Sequence, residues 1–298
     1  MGMYQGRHAI IRAVRSLPRT AVAAIAVGAI AAAATGGVLI AGSAGASTAA
    51  RISTPEQAGY AATNAQFQFV SANVYLRNPA QYASSLGSYG DSVQLWSDDM
   101  EITLGVSDTT SSGGGFSPAM AVFDHTKTAP DDVTCSTAGT TPCPGTPKNW
   151  TDGSVSYPKG DTVTLALEYN RGSGLVTAII RDETAGKASQ ASYDVGTGVS
   201  FNQARVGAET GCYAPWDPAS VNGCGSTVTP PSAPQLLSRF TGVTLVTYSG
   251  HVSGMASWWQ HHKVLLTADG TATQPTQAAP ANLGSGGTSF SVSLLPAS

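Results

Sequence analysis

An all-β fold of two stacked sheets is what this sequence predicts, on three observations. Apolar and polar residues alternate over short runs through the middle and end of the chain, which is the period of a half-buried strand. Clusters of Gly, Pro, Ser and Asn separate those runs and read as turns. Neither an amphipathic helical period nor an internal repeat competes with that reading. Charged residues make up 11% of the chain, against about a quarter in an average globular domain. A length of 298 residues is ordinary for one sandwich domain once a leader is set aside.

The chain opens with Arg7, Arg12, Arg15 and Arg19, then an apolar run over 21–40, then Ala44-Gly45-Ala46. That is the layout of a secretory signal peptide, so residues 1–46 are expected to be removed on export and the protein to be extracellular. The apolar run is also long enough for a retained N-terminal anchor with its positive end inside. Residues 47–58 read as a flexible segment, and residues 59–298 as a single β-sandwich domain.

Within that domain, residues 66–76 place Phe67 and Phe69 on one face and Val70, Ala72, Val74 and Leu76 on the other, a strand covered on both sides. Residues 92–96 and 101–107 form a hairpin in which Ile102, Leu104 and Val106 point one way and Glu101, Thr103 and Ser107 the other. A Ser/Gly run at 111–115 is a loop, and residues 118–124 return as a strand. The centre of the fold is residues 160–209. There Val163, Leu165, Leu167 and Tyr169 share a face, a Gly-containing turn at 170–174 leads into a second strand at 175–182, and a third at 203–209 ends its polar face in Glu209. Residues 239–248, 263–267 and 288–295 supply the last strands.

Two long loops, about 126–150 and 210–234, interrupt this pattern, and each holds two of the four cysteines: Cys135 with Cys143, and Cys212 with Cys224. Local disulfides that staple these loops in an oxidising compartment are the simplest reading. Asn149-Trp150-Thr151 is a glycosylation sequon in the first loop. A zinc site is the competing reading of the cysteines, but the spacings are not those of a zinc knuckle and no His lies near.

Several function classes are excluded or left without support. A net charge of -3 gives no broad attraction for phosphate backbones, so nucleic acid is not an expected partner. Residues 251–263, HVSGMASWWQHHK, gather three of the five histidines, yet adjacent His261 and His262 point to opposite faces of a strand and do not converge on a metal. No Gly-x-Ser-x-Gly elbow supports a serine hydrolase. No cofactor and no metal are expected.

Four short stretches carry a resemblance. Phe69-Val70-Ser71-Ala72 with a following Pro79, Leu104-Gly105-Val106, Tyr157-Pro158-Lys159-Gly160-Asp161, and the strand from Ala204 to Glu209 occur in the order found in the glutamic peptidase, or eqolisin, family. The likeness spans roughly residues 59–250. It implies a concanavalin A-like two-sheet jelly roll, and it places Glu209 where that family has the glutamate that activates water. The partner glutamine of the family corresponds to Thr103, and its aromatic cleft strand to residues 119–123, here Ala-Met-Ala-Val-Phe. The stretches SVQLW, LGVS and SWWxHHK also resemble a group of secreted actinobacterial proteins.

Peptide hydrolysis by such a pair needs a carboxylate to take a proton from water and an amide to stabilise the oxyanion. A threonine hydroxyl on a shorter stem is a poor substitute, and loss of one such donor typically costs ~100-fold in rate. A different arrangement would pair Glu209 with Glu101 as acid and base, as in glycoside hydrolysis, where carboxylates sit about 5 to 10 Å apart; a solvated sheet face explains both residues equally well. Trp96, Trp258, Trp259 and Arg205 are candidate contacts for a sugar or peptide. The expectation is therefore a secreted domain that binds an extracellular peptide or polysaccharide with a degenerate catalytic site. An acid-active endopeptidase using Glu209 and a wall-associated structural protein are the alternatives.

Overall fold

A computed structural model describes residues 51–54, 57–77, 89–108, 115–127, 133–136, 156–210, 231–256, 259–267 and 276–296. Seventeen strands run through them. In chain order they are β1 (Arg51–Thr54), β2 (Gln57–Thr63), β3 (Phe67–Tyr75), β4 (Tyr89–Trp96), β5 (Met100–Asp108) and β6 (Gly115–Asp124). Next come β7 (Val133–Ser136), β8 (Tyr157–Pro158), β9 (Thr162–Asn170), β10 (Leu175–Asp182), β11 (Lys187–Asp194) and β12 (Gln203–Thr210). The last are β13 (Gln235–Thr247), β14 (Val252–Ser253), β15 (Gln260–Thr267), β16 (Thr276–Pro280) and β17 (Phe290–Leu294). One 3-10 turn, Ser285–Gly287, is the only helical element among the described residues.

Pairing resolves these strands into two sheets. The first runs β1-β15-β2-β12-β4-β5-β6, with β7 and β8 beyond β6. The second runs β16-β17-β13-β3-β9-β10-β11, with β14 beside β13. A short β15–β16 ladder, Leu266 opposite Ala278, joins them at one corner. All pairs are antiparallel except β1 with β15. This is the two-sheet β-sandwich that the alternation predicts, in the jelly-roll form that the family resemblance implies.

Apolar alternate positions from both sheets meet in one core. Val93, Leu95, Ile102, Leu104, Val106 and Val206 come from the first sheet, and Val70, Ala72, Leu165, Leu167, Val176 and Ile180 from the second. Each large aliphatic side chain buried this way contributes roughly 1.5–3 kcal/mol. One polar contact crosses the same space: the Ser238 hydroxyl on β13 donates to the Asp91 carboxylate on β4, and both residues are buried.

Four features depart from the sequence reading. Residues 51–54, expected within a flexible start, form β1, and the domain's first central strand, β2, begins at Gln57 rather than after residue 58. β2 has no β-branched residue before Thr63, and at Gly59 it lies tightly against β12: a Cβ there would stand 2.1 Å from the Val206 carbonyl oxygen. Part of the first expected loop is β7, which pairs with β6. β11 and β16 were also not expected, since β11 buries only Ala191 and presents Lys, Ser and Gln elsewhere. Finally, β3 is not a plain alternating strand. Thr247 faces Phe67 while Val246 faces Phe69, so Gln68 is an extra residue that turns Phe67 into the core beside Val70.

Cys143, Cys212, Cys224, Trp258, the sequon at 149–151 and the N-terminal 46 residues lie outside the described residues. Cys135 lies on β7, where the backbone alone is described.

Candidate functional site

The side of the first sheet turned away from the core is polar. Strand alternation puts Gln57, Ser92, Gln94, Glu101, Thr103 and Glu209 there, opposite to Val93, Ile102, Leu104 and Val206. All six are nevertheless buried, with Glu209 5% and Gln94 6% exposed. Polar groups withdrawn from water to this degree need partners.

Those partners form a line across four strands. The Gln57 amide on β2 donates to the Ser92 hydroxyl on β4 at 3.1 Å, and Ser92 in turn donates to Oε1 of Glu209 on β12. Gln94 Nε2 donates to the same oxygen at 3.0 Å. Backbone register sets Ser92 opposite Gly207 and Gln94 opposite Arg205. Because Gly207 has no side chain, the Glu209 carboxylate can lie back along its own strand and reach both. Gln94 also faces Thr103 in register, and Thr103 donates to Oε1 of Glu101 at 2.7 Å. Glu101 Oε2 lies 3.6 Å from His125 Nε2. The order across the face is therefore Glu209, Gln94, Thr103, Glu101, His125.

At the far end of that face an aromatic and cationic group is partly exposed. Trp96 has the Arg205 guanidinium 4.0 Å above its ring centre and the His125 imidazole 4.8 Å from it. Arg205 is held flat by donating Nε and Nη2 to the Gln203 side-chain oxygen at 3.2 and 3.0 Å. Stacking of this kind is a recognised cation–π geometry.

The candidate residues are thus only partly brought together. Glu209, Thr103 and Glu101 share one face, but Thr103 serves Glu101 and not Glu209. Trp96 and Arg205 form one contact beside them. Trp259 sits elsewhere, 8% exposed, with its ring edge-on to Phe67 at 5.3 Å and its N–H donated to the Met255 carbonyl at 3.1 Å. His261 and His262 lie on β15, which begins at Gln260 rather than at the expected residue 263. His262 Nε2 contacts the Thr63 hydroxyl at 2.8 Å, while His261 lies 6.2 Å from the Tyr60 ring. Burial, and secondarily the neighbouring His262, lower the His261 pKa. Burial also pushes the Tyr60 hydroxyl up to about 12, against a smaller effect of the Leu283 backbone, so Tyr60 stays a neutral donor to the Ala281 carbonyl at 2.7 Å. Among the described residues, no group of three His, Cys, Asp or Glu side chains is placed to hold a metal ion.

The sequence reading missed Gln94, Ser92, Gln57 and His125. The signal for two of them is present: Ser92 and Gln94 share parity with Trp96 inside a run otherwise read for its apolar residues. What no sequence pattern supplies is that β4 lies directly against the strand carrying Glu209.

Two stacked sheets, antiparallel but for one pair, make this a β-sandwich with a carboxylate and amides buried on the outward face of one sheet. A solved structure that the chain resembles is scytalido-glutamic peptidase with a transition state analog inhibitor, with a TM-score of 0.51 and 12% identity over 82% of this chain and all of that one. A second is SCP-B, a member of the eqolisin family in complex with the tripeptide Ala-Ile-His, with a TM-score of 0.46 and 12% identity over 82% of this chain and all of that one. No family model matches the sequence, and no curated protein matches it. The likeness is one of fold.

Proposed function

We propose that this protein is an exported hydrolase of peptide bonds, active at acid pH, in which Glu209 is the general base and Gln94 supplies the amide that the position of Thr103 lacks. The observation that carries the reading is the 3.0 Å contact from Gln94 Nε2 to Glu209 Oε1 on a buried polar face. Gln94 has a second N–H for the oxyanion of a tetrahedral intermediate, and its Oε1 has no hydrogen-bond partner among the described residues. In this scheme Glu209 takes a proton from water as the new C–O bond forms at the scissile carbonyl. The C–N bond then breaks as that proton passes to the leaving nitrogen. Ser92 and Gln57 hold the carboxylate in place. Residues 1–46 act as the export signal in this reading, and Cys135–Cys143 and Cys212–Cys224 as local disulfides.

A binding domain for extracellular peptide or glycan is the second reading, favoured by the partly exposed Trp96 and Arg205 stack. One experiment separates the two. Purified protein is incubated with a denatured protein substrate between acid and neutral pH, beside the Glu209→Gln variant. Cleavage at acid pH that disappears in the variant supports the hydrolase; an inert wild type that retains the peptide or polysaccharide on an affinity column supports the binding domain instead.

A further inference from the structure

A recess of about 510 Å³ opens at the other end of β2 from Glu209. Gln57, opposite Glu209, begins that strand, and Asn64 on the rim of the recess follows its last residue. Seven residues of extended chain put the two sites about 20 Å apart. The walls come from the β2–β3 turn, the β13–β14 turn and the residue preceding β15. Gln66, Thr247, Tyr248, Ser249, His251 and Trp259 supply most of the lining.

The chemistry of that lining selects a ligand class. Among the described residues its lining holds no carboxylate, lysine or arginine, and His251 is the one imidazole, so no fixed charge there selects an anion or a metal ion. Arg171 is engaged with the ring of Tyr248, 5.4 Å from its centre. Trp259 is fixed by Phe67 and has already given its N–H to Met255, so it offers the recess ring surface alone. Around this apolar wall stand amide and hydroxyl groups that both donate and accept, with Asn64, Gln66 and Ser249 exposed. A rigid aromatic edge beside uncharged two-way hydrogen-bonding groups matches a ring that carries hydroxyls on its rim and C–H bonds on its faces. The volume falls in the range of small-ligand sites.

We propose that this recess is a binding site for a neutral sugar unit, separate from the Glu209 face. It does not depend on the hydrolase reading. The full chain is tested by saturation-transfer NMR and tryptophan emission with cellobiose, xylobiose and diacetylchitobiose, with glucuronic acid and a neutral tripeptide as controls. At least one neutral disaccharide is expected to bind saturably, Gln66→Ala and His251→Ala each to weaken it at least fivefold, and Glu209→Gln to leave it unchanged. Absence of saturable binding by every disaccharide, indifference to both recess variants, preference for the tripeptide or the uronic acid, or loss of binding in Glu209→Gln would each overturn the proposal. Both recess residues are exposed, so their replacement leaves the core intact.

Discussion

Gln94 donates to the Glu209 carboxylate at 3.0 Å even though backbone pairing sets it opposite Arg205, four residues earlier on the same strand. The contact runs diagonally across the ladder, over Gly207 and past Ser92. It gives the acid an amide neighbour from β4, one strand nearer than the Thr103 position on β5.

If that amide is the oxyanion donor, Gln94→Ala lowers acid cleavage of a denatured protein by ~100-fold or more. Thr103→Ala has a far smaller effect, because its hydroxyl is spent on Glu101. Activity is measured on samples whose far-ultraviolet circular dichroism matches wild type. Equal losses in the two variants would remove the distinction between them.

The sandwich was legible because most of its strands obey a two-residue period with branched residues on the buried parity, as in β5, β9 and β10. The strands that escaped are those whose burial is not carried by large side chains. β2 is central yet made of Ala, Gly, Tyr and Gln up to its final Thr63, and β11 buries Ala191 alone. The bulge at Gln68 was invisible for another reason: it belongs to the pairing of β3 with β13, and no single strand records it. The same holds for the site. Glu209 was readable as the polar end of a strand, while Gln94 became its partner only through the neighbour relation of β12 and β4.

Gly207 tests whether close packing under the acid matters. A Cβ there would stand 2.6 Å from the Ala58 carbonyl oxygen and 2.8 Å from Gln57 Cγ. Gly207→Ala is therefore expected to force β2 and β12 apart, lower the denaturant midpoint and displace Gln57 from Ser92. Crowding of this kind costs about 1–3 kcal/mol. An unchanged midpoint would mean that the strands yield without penalty.

The buried Ser238 to Asp91 contact ties the two sheets through their core. Ser238→Ala removes one donor from a carboxylate withdrawn from water, which is expected to cost about 1–3 kcal/mol in urea unfolding. Ser238→Asn, which restores a donor at the price of volume, should not recover the wild-type value. Stability equal to wild type in Ser238→Ala would show that the remaining interactions of Asp91 suffice.

Acid pH sets a last requirement on an enzyme of the proposed type. The His261 pKa is lowered in the fold, first by burial and then by His262, so the unfolded chain binds the proton more readily. Stability linked to His261 is thus complete above its ordinary value of ~6.5 and is lost as pH falls below it, through the lower folded-state value. Thermal unfolding of wild type should accordingly drop between pH 7 and 5 more steeply than that of His261→Gln, which has nothing to protonate there. Parallel pH profiles for the two proteins would mean that the imidazole gains water or a counter-charge on protonation, and that acid tolerance is set elsewhere in the sandwich.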